Sequence, residues 1–434
     1  MTPIEIGIFG IIALIILLIL RVPIGISLII SASAGVIMLS APVPALELIA
    51  DQIFAVTRIQ ALVAIPLFVL MGLLLSKTNM AAALFEIMSY LFGRSKGGLA
   101  ISVLGCATFF SAMSENFSTT FTSVRSASDA ELRKYNYDSG LSTGITAVGS
   151  SICILLPPST ALIIFAYLSG LSVSHALLSG IAPAALTAVL LLISSPIILR
   201  LRPQLVPDVI KTKRPFPTNA LKIIWVVPFI FILIFFALFS GWLTLTETAA
   251  VGAFLTLLFA VSTRQMSFAI FFETLISVAK ITGKLFLLII GGTVFNLFLV
   301  RSLITASLTA FFTSLDVSSI VIIMIFLLVY IFLGLFMDKL ATIVILTPVF
   351  FPIILSLGLS GLWFGVMVAF ALMIGYCLRP LSACGISASS KDSVPCSKLI
   401  SAQIPFLIIL VIACALVALF PYLATLLPSM MIGW

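Results

Sequence analysis

Residues 112–120 read AMSENFSTT, and residues 336–339 read FMDK. Each stretch places a carboxylate, Glu115 or Asp338, in an otherwise apolar region, and a proline follows each carboxylate 42 residues later. In membrane proteins, interrupted segments at corresponding positions of two halves are the best sequence indication of a binding site near the bilayer midplane. The sequence therefore predicts that one polar, interrupted segment occurs twice. In a membrane protein this pattern indicates a transport site.

The composition is typical of a helical membrane protein. Of the 434 residues, 62% are hydrophobic and only 8% are charged, whereas a soluble chain carries about 25% charged residues. The first apolar run is followed by many more rather than by a cleavage site, so no removable signal peptide is expected. We expect a polytopic protein that lies in the lipid bilayer.

The net charge of +8 comes from Lys and Arg residues that lie mostly in short loops. Such loops stay on the cytoplasmic side of a membrane, so the charge indicates topology rather than a nucleic-acid partner. The six cysteines include no CxxC pair, and His175 is the single histidine. Metal centres and acid–base catalysis need more such groups. We therefore predict neither an enzyme nor a bound cofactor.

Segments of about 20 apolar residues are needed to cross the hydrocarbon core of a bilayer. An interfacial helix is predicted at about 79–93. The predicted spans, of which 139–170 and 362–390 are broken, lie at about 4–20, 22–40, 60–76, 139–170, 176–199, 223–240, 246–262, 282–300, 362–390 and 400–428.

Two further regions, 98–133 and 318–356, are too long for one span and have polar residues in their middle. Basic residues flank both ends of the first region, so both ends belong on the cytoplasmic side. A re-entrant helical hairpin with its tip near Ser114–Thr120 satisfies this condition. The second region opens on the opposite face when the spans are counted. The two hairpins are therefore predicted to point at each other.

A basic loop with several prolines, 200–222, divides the chain almost in half. The order of elements before it is predicted to recur upside down after it. The predicted repeats are 1–215, with the hairpin at 98–133 and the broken helix at 139–170, and 216–434, with the hairpin at 318–356 and the broken helix at 362–390. The predicted fold class is an all-α polytopic membrane protein of inverted repeats, with two re-entrant helical hairpins and two broken helices.

The first tip offers hydroxyls, an amide and a carboxylate within nine residues. Helix N-termini attract anions, while carbonyl-rich helix ends and hydroxyls suit a hard cation such as Na⁺. An Asp, Lys or Arg at the membrane centre costs about 2.5–3.5 kcal/mol on insertion scales, so pairing or function is expected for Asp338, Lys339 and Arg379. An ion pair of Arg379 with Glu115 or Asp338 is nearly as good an interpretation as a contact with a solute.

Several blocks of sequence, taken in order, carry a resemblance to a known family. They are PLFVLMG at 66–72, GGLA at 97–100, Tyr137-Asp138 followed by 146–159 with its Pro157-Pro158 pair, FLGLFMD at 332–338, ILTP at 345–348, Pro352-Ile353 and FGVM at 364–367. With these blocks the chain resembles the large membrane subunit of tripartite ATP-independent periplasmic (TRAP) transporters, in the ion transporter superfamily. No single block is specific, but their order and spacing together are.

The resemblance implies an elevator-type secondary transporter in the bacterial cytoplasmic (inner) membrane. It implies a sodium gradient as the driving force, with Na⁺ as the coupling ion, and a small organic acid that bears a carboxylate as the substrate. A periplasmic solute-binding protein would deliver the substrate, and a small four-helix membrane subunit would complete the transporter. The sequence has no Walker A loop for ATP, which agrees with a driving ion gradient.

The site residues that the resemblance implies fall at the two tips and the two helix breaks. The implied sodium ligands are Ser114, Glu115, Gly149, Ser150, Ser151, Asp338, Thr342 and Gly375. The implied solute contacts are Asn116, Ser118, Thr119, Arg379 and Ser382.

The chain departs from the family pattern at both tips and at the second break. The family's glycine-rich first tip reads Glu115-Asn116 here, and the usual Thr-Pro-Pro of the second break reads Leu378-Arg379-Pro380. Arginine is always charged and its planar fork fits a carboxylate, so Arg379 is hypothesised to replace one ion or to bind the solute's carboxylate. Two alternatives stay open: a proton-coupled or uncoupled carrier of the same fold, and a degenerate membrane scaffold subunit that does not transport.

Overall fold

The structure is a computed structural model that describes residues 1–202, 204, 206, 216–379 and 396–431. Within these ranges the chain forms helices joined by turns and contains no β-strand. The helices of the first half are α1 Pro3–Ile19, α2 Ile24–Leu39, α3 Pro42–Thr57, α4 Gln60–Ser76, α5 Met80–Phe92, α6 Gly98–Ser111, α7 Phe117–Lys134, α8 Ser139–Ser151, α9 Thr160–Leu168 and α10 Val173–Leu201. The helices of the second half are α11 Thr218–Ile224, α12 Val226–Ser240, α13 Leu245–Ser262, α14 Phe268–Arg301, α15 Ile304–Ser314, α16 Ser319–Phe336, α17 Lys339–Ser356, α18 Gly361–Leu378, α19 Cys396–Leu419 and α20 Tyr422–Ser429.

The predicted all-α polytopic membrane fold is confirmed. Seven of the described helices are long and apolar enough to cross a bilayer, and the bent pair α3–α4 is an eighth candidate. The helix predicted at about 79–93 is present as α5, which packs against α6, and its place at the membrane interface stays a prediction. The predicted repeat boundary at 215–216 adjoins residues that the structure does not describe, and the two repeats stay a prediction.

Both predicted hairpins are confirmed as pairs of helices around a short tip. In the first hairpin, α6 ends at Ser111 and α7 begins at Phe117, so the tip has five residues, 112–116. In the second, α16 ends at Phe336 and α17 begins at Lys339, so the tip has two residues.

The first broken helix is also confirmed. Helix α8 passes into a short 3₁₀ turn, Ile152–Ile154, before the chain resumes as α9. The Pro157-Pro158 bond in this break is cis, and neither proline has an N–H for a helical hydrogen bond. Ser159 accepts a hydrogen bond from the N–H of Leu162 at 3.3 Å and so caps α9. The second break begins at the end of α18, but Pro380 and the residues up to 395 lie outside the described ranges.

Several elements differ from the prediction, and α14, at Phe268–Arg301, begins 14 residues before the predicted span 282–300. Helix α3 was not predicted, because its acidic residues make it too polar for a span; it meets α4 at an angle of 53°. Helix α15 was not located either, since it is short and amphipathic. The segment 400–428 is not one span, because it is divided between α19 and α20 just before Pro421, a residue that cannot continue a helix ladder.

Most of the helices pack as two groups, while α11 packs mainly on α5 and α15 contacts both α14 and α17. We call α1–α4 and α12–α14 the scaffold group, in which α14 packs on α2, α3 and α4, and α13 packs on α4. We call α5–α10 and α16–α20 the hairpin group, in which α8 packs on α6 and α19, and α16 packs on α18. Contacts of α14 with α17 and of α4 with α7 join the groups. The hairpin tips lie at this junction.

Candidate functional site

The two hairpin tips meet inside the protein. Lys339, the first residue of α17, donates a hydrogen bond from Nζ to the backbone carbonyl of Glu115 at 3.0 Å. Both side chains are buried, with 8% of Lys339 and 6% of Glu115 exposed. A second contact joins the first hairpin to the second broken helix, because the rings of Phe117 in α7 and Tyr376 in α18 lie edge to face with their centroids 4.9 Å apart. The prediction that the hairpins point at each other agrees with these contacts.

Each tip ends on a side chain that caps the next helix. Asn116 accepts a hydrogen bond through Oδ1 from the N–H of Ser118 at 2.9 Å. Asp338 accepts one through Oδ1 from the N–H of Leu340 at 3.0 Å. Asn and Asp are preferred at this position because they satisfy a backbone donor that has no partner within the helix. The N-terminal, positive ends of α7 and α17 are thereby held at the tips.

A cleft of about 670 Å³ lies where the tips meet the scaffold group. One wall belongs to the hairpin group and the other to α2 and α14 of the scaffold group. The hairpin wall is formed by Glu115, Asn116, Phe117, Thr160, Asp338, Lys339, Leu340, Ala341 and Tyr376. The scaffold wall is formed by Pro23, Ile24, Gly25, Ile26, Ile281, Lys284, Leu285, Leu287 and Leu288. Both tips therefore contribute to one cleft, as a shared binding site requires.

The cleft contains four charged side chains. Glu115 is buried, and its Oε2 has no hydrogen-bond partner among the residues that the structure describes. Asp338 is exposed and caps α17, while Lys339 is engaged with the first tip. Lys284 is exposed and is the single charged residue on the scaffold wall.

A second cavity, of about 520 Å³, follows the hydroxyl-bearing face of α7. Ser118 and Thr119 line it on one side. The end of α4, residues 77–79 and the start of α5 line it on the other. A narrow space between this cavity and the cleft is lined by Ser114, Glu115, Asn116 and Thr119, among others. The first tip thus separates two cavities.

The predicted residues of the first helix break lie behind the tips rather than on the cleft wall. Ser111 Oγ donates to the carbonyls of Gly149 and Ser150, at 3.1 and 3.4 Å. Ser151 Oγ donates to its own helix at Val148, and Ser150 Oγ is buried without a partner in the described part of the chain. Carbonyl and hydroxyl oxygens therefore gather where α6 and α8 end.

The remaining predicted residues surround the second tip. Thr342 Oγ1 donates to the carbonyl of Asp338 at 3.1 Å. Gly375 lies against α16, where an added Cβ would be 2.8 Å from the carbonyl oxygen of Ile331. Arg379 donates from Nη1 to the carbonyl of Met337 at 3.4 Å, and its guanidinium lies 5.8 Å from the ring centroid of Tyr376. Ser382 lies outside the described residues.

Sequence reasoning missed Lys284 and Tyr376 as cleft residues. Lys284 was taken only as a topological charge, yet it shares one helix face with Ile281 and Leu288, at helical spacings of three and four. That spacing was the available signal. No such signal marked Tyr376, because its place in the cleft depends on the packing of α18.

The described residues contain no group of three or more His, Cys, Asp or Glu side chains that could hold a metal ion. The residues where α6 and α8 end carry carbonyl and hydroxyl oxygens, which are ligands that hard cations accept.

Comparison with known proteins agrees with this architecture. The family model described as tripartite ATP-independent periplasmic transporter, DctM component, matches residues 11–423. The sialic acid TRAP transporter large permease protein SiaM of Vibrio cholerae is 28% identical over 96% of this chain and 97% of its own length. The ectoine TRAP transporter large permease protein TeaC of Halomonas elongata is 27% identical over 94% and 95%. The C4-dicarboxylate TRAP transporter large permease protein DctM of Pseudomonas aeruginosa is 26% identical over 88% and 89%.

Among solved structures, the YdaH transporter of Alcanivorax borkumensis is similar in fold. Its TM-score is 0.52 at 13% sequence identity, with 88% of this chain and 87% of that chain covered. The likeness concerns the fold alone. Since the family match spans nearly the whole sequence and includes both hairpins and both breaks, the chain belongs to the DctM components, the large permease subunits, of the tripartite ATP-independent periplasmic transporters.

Proposed function

We propose that this permease subunit imports a carboxylate-bearing solute across the bacterial inner membrane, driven by a sodium gradient. A periplasmic binding protein delivers the solute, and a small four-helix membrane subunit completes the transporter. The observation that carries the proposal is the charged cleft of about 670 Å³ between the meeting hairpin tips and the scaffold group.

An elevator movement is supported by the division of the helices into two groups. The cleft lies between the groups, so a displacement of the hairpin group past the scaffold group would carry the tips and a bound solute together. Pro23 and Lys284 line the cleft, and both lie close to basic residues that the positive-inside rule assigns to the cytoplasm. The arrangement described here then corresponds to the inward-facing state.

A carboxylate substrate is supported by the cleft and by the relatives. Lys284 and Lys339 line the cleft, and ammonium groups form charge-assisted hydrogen bonds with carboxylates. Relatives are named for sialic acid, ectoine and C4-dicarboxylates, solutes that each carry a carboxylate. The class of solute within the carboxylates is left to experiment.

Sodium coupling is supported by the oxygen atoms at the end of α8. The carbonyls of Gly149 and Ser150 both accept from Ser111, and the Oγ of Ser150 has no partner among the described residues. Each Na⁺ that enters contributes about 2.3 kcal/mol per 100 mV of membrane potential, besides its concentration gradient. Two ions per solute would suffice for strong accumulation.

The test is uptake into proteoliposomes that contain the chain with its small subunit and binding protein. L-malate, D-gluconate and L-aspartate serve as probes for a C4-dicarboxylate, a sugar acid and an amino acid. An inward Na⁺ gradient is compared with an equal K⁺ gradient at two pH values. Accumulation of one probe under Na⁺ alone is the expected result. Uptake of none of them, with all partners present, would contradict transport and favour the scaffold alternative.

Proton coupling is the second candidate, and one observation favours it. Glu115 is buried, its Oε2 lacks a partner in the described chain, and the ammonium of Lys339 already lies at the carbonyl of the same residue. A buried carboxylate at a tip can exchange a proton as the hairpins move. Uptake that follows pH and ignores Na⁺ would support this candidate, and Glu115→Gln should then abolish the pH dependence.

A further inference from the structure

The two walls of the cleft differ in how they use their charges. On the hairpin wall, the Lys339 ammonium donates to the Glu115 carbonyl and the Asp338 carboxylate caps α17. These groups have partners within the tips. On the scaffold wall, Lys284 has no ion-pair or hydrogen-bond partner within the described ranges and is exposed. Among the described residues that line the cleft, it is the one cation without a partner inside the protein.

The position of Lys284 is fixed by tight packing of the scaffold group. Helix α2 approaches α14 at Gly25, where an added Cβ would lie 2.8 Å from the carbonyl oxygen of Leu287. At Gly291 an added Cβ would lie 2.5 Å from the carbonyl oxygen of Gly25. These contacts lie within two turns of Lys284, so the backbones of α2 and α14 pack closely beside it. Lys284 lines the cleft, and a lysine can lay its stem along apolar surface while its ammonium stays in water.

The rest of the scaffold wall is apolar apart from backbone. In such surroundings one ammonium strongly favours the binding of anionic solutes, because a charged group attracts an opposite charge more strongly where water is partly excluded. Lys284 also belongs to the opposite helix group from both tips. A solute held by the tips would meet this lysine in the arrangement described here and would leave it when the groups move apart.

We infer that Lys284 is a specificity-determining residue of the cleft and binds the anionic group of the solute on the cytoplasmic side. This inference rests on the proposed function for the movement of the helix groups. It assigns the carboxylate contact to a residue of the scaffold group, whereas the sequence had pointed to Arg379.

The test uses the full chain purified in detergent, with thermal unfolding as the readout. L-malate, D-gluconate and L-aspartate are the probes, each compared with sodium chloride at equal ionic strength. We expect at least one probe to raise the unfolding temperature of the wild-type chain, and Lys284→Met to weaken its apparent affinity about tenfold. Lys284→Arg keeps the charge and should keep most of the affinity. Lys284→Gln replaces the Met variant where that variant fails to fold.

Lys280→Met is the matched control, because Lys280 lies one turn earlier on the same helix, is exposed, and does not line the cleft. The apparent affinity of Lys280→Met for each probe should equal that of the wild-type chain. Wild-type affinity in the neutral Lys284 variant that folds overturns the inference, and so does an equal loss of affinity in the control. A wild-type chain that none of the probes stabilises also overturns it. Binding that depends on Lys284 without uptake in proteoliposomes supports this inference and contradicts the proposed function.

Discussion

The two hairpin tips perform the same local task with different residues. The first tip has five residues and ends on the neutral cap Asn116, while the second has two and ends on the charged cap Asp338. The first tip buries the carboxylate of Glu115, and Lys339 beside the second tip donates to the backbone carbonyl of that residue. Both halves thus have a short tip followed by a capped helix. Their charged residues differ, because the first tip carries Glu115 and the second carries Asp338 beside Lys339. The first tip receives a donor from the second half, Lys339, while the second tip receives one from its own half, Arg379.

A second comparison concerns the helix that supports each tip. In the first half, an added Cβ at Gly149 of α8 would lie 2.7 Å from the Cβ of Ala107 and 3.1 Å from the carbonyl oxygen of Leu104. In the second half, a Cβ at Gly375 of α18 would lie 2.8 Å from the carbonyl oxygen of Ile331. Each broken helix therefore reaches the first helix of its own hairpin through a glycine. The glycine contacts of the two broken helices are therefore more alike in the two halves than the residues of the two tips are.

The largest effect is expected from Lys339→Met, which removes the group that joins the tips. The Glu115 carbonyl would lose a charged donor in a buried site, a loss of about 2–3 kcal/mol that corresponds to roughly a hundredfold lower uptake. Uptake in proteoliposomes and thermal unfolding measure it. Lys398→Met, an exposed lysine outside the cleft, is the control. Near-normal uptake in Lys339→Met would show that the tips do not need this contact.

The glycine supports come next. Gly149→Ala and Gly375→Ala each force a methyl group against a neighbouring helix, and overpacking of this kind costs about 1–3 kcal/mol. We expect both variants to unfold at lower temperature by similar amounts. Gly283→Ala is the control, since a Cβ there meets nothing within 4 Å and alanine favours a helix. A large difference between the unfolding temperatures of the two variants would show that the two glycines do not have equivalent roles in the two halves.

Arg379→Ala should have a moderate effect, because Arg379 donates to the carbonyl of Met337 beside the second tip. Loss of one charge-assisted hydrogen bond is worth about 1.5 kcal/mol, or roughly tenfold in uptake. Uptake is measured at several Na⁺ concentrations. An altered Na⁺ dependence would favour the replacement of an ion by arginine. Unchanged transport with unchanged Na⁺ dependence would remove Arg379 from the site.

The smallest effect is expected from the caps. Asn116→Ala and Asp338→Ala each remove one acceptor at a helix N-terminus, a loss of about 1 kcal/mol. Asn116→Asp and Asp338→Asn keep the acceptor and exchange the charges of the two tips. The unfolding temperature should fall slightly in the alanine variants and stay close to that of the wild type in Asn116→Asp and Asp338→Asn. A larger fall in Asp338→Asn than in Asp338→Ala would contradict capping as the role of Asp338.

The sequence was sufficient for the hairpins, because a carboxylate in an apolar region is costly and therefore easy to see. It was insufficient for α3 and α15, since short amphipathic helices lack both the length and the hydropathy of a span. The contact of Lys339 with Glu115 joins residues 224 positions apart, and no local pattern encodes such a pairing. Lys284 was visible in the sequence but was assigned to topology, because a basic residue at the start of a span has two interpretations.

The unbroken course of α14 has a mechanical consequence. Its 34 residues make a rod of about 50 Å, longer than the roughly 30 Å hydrocarbon core of a bilayer. At one end Phe268 and Phe272 are exposed, and the next residue, Glu273, pairs with Lys77 at the end of α4 at 3.5 Å. A continuous helix answers a change of membrane thickness by tilting rather than by shortening. In a thinner membrane this rod leans further, and the cleft wall that it forms turns with it.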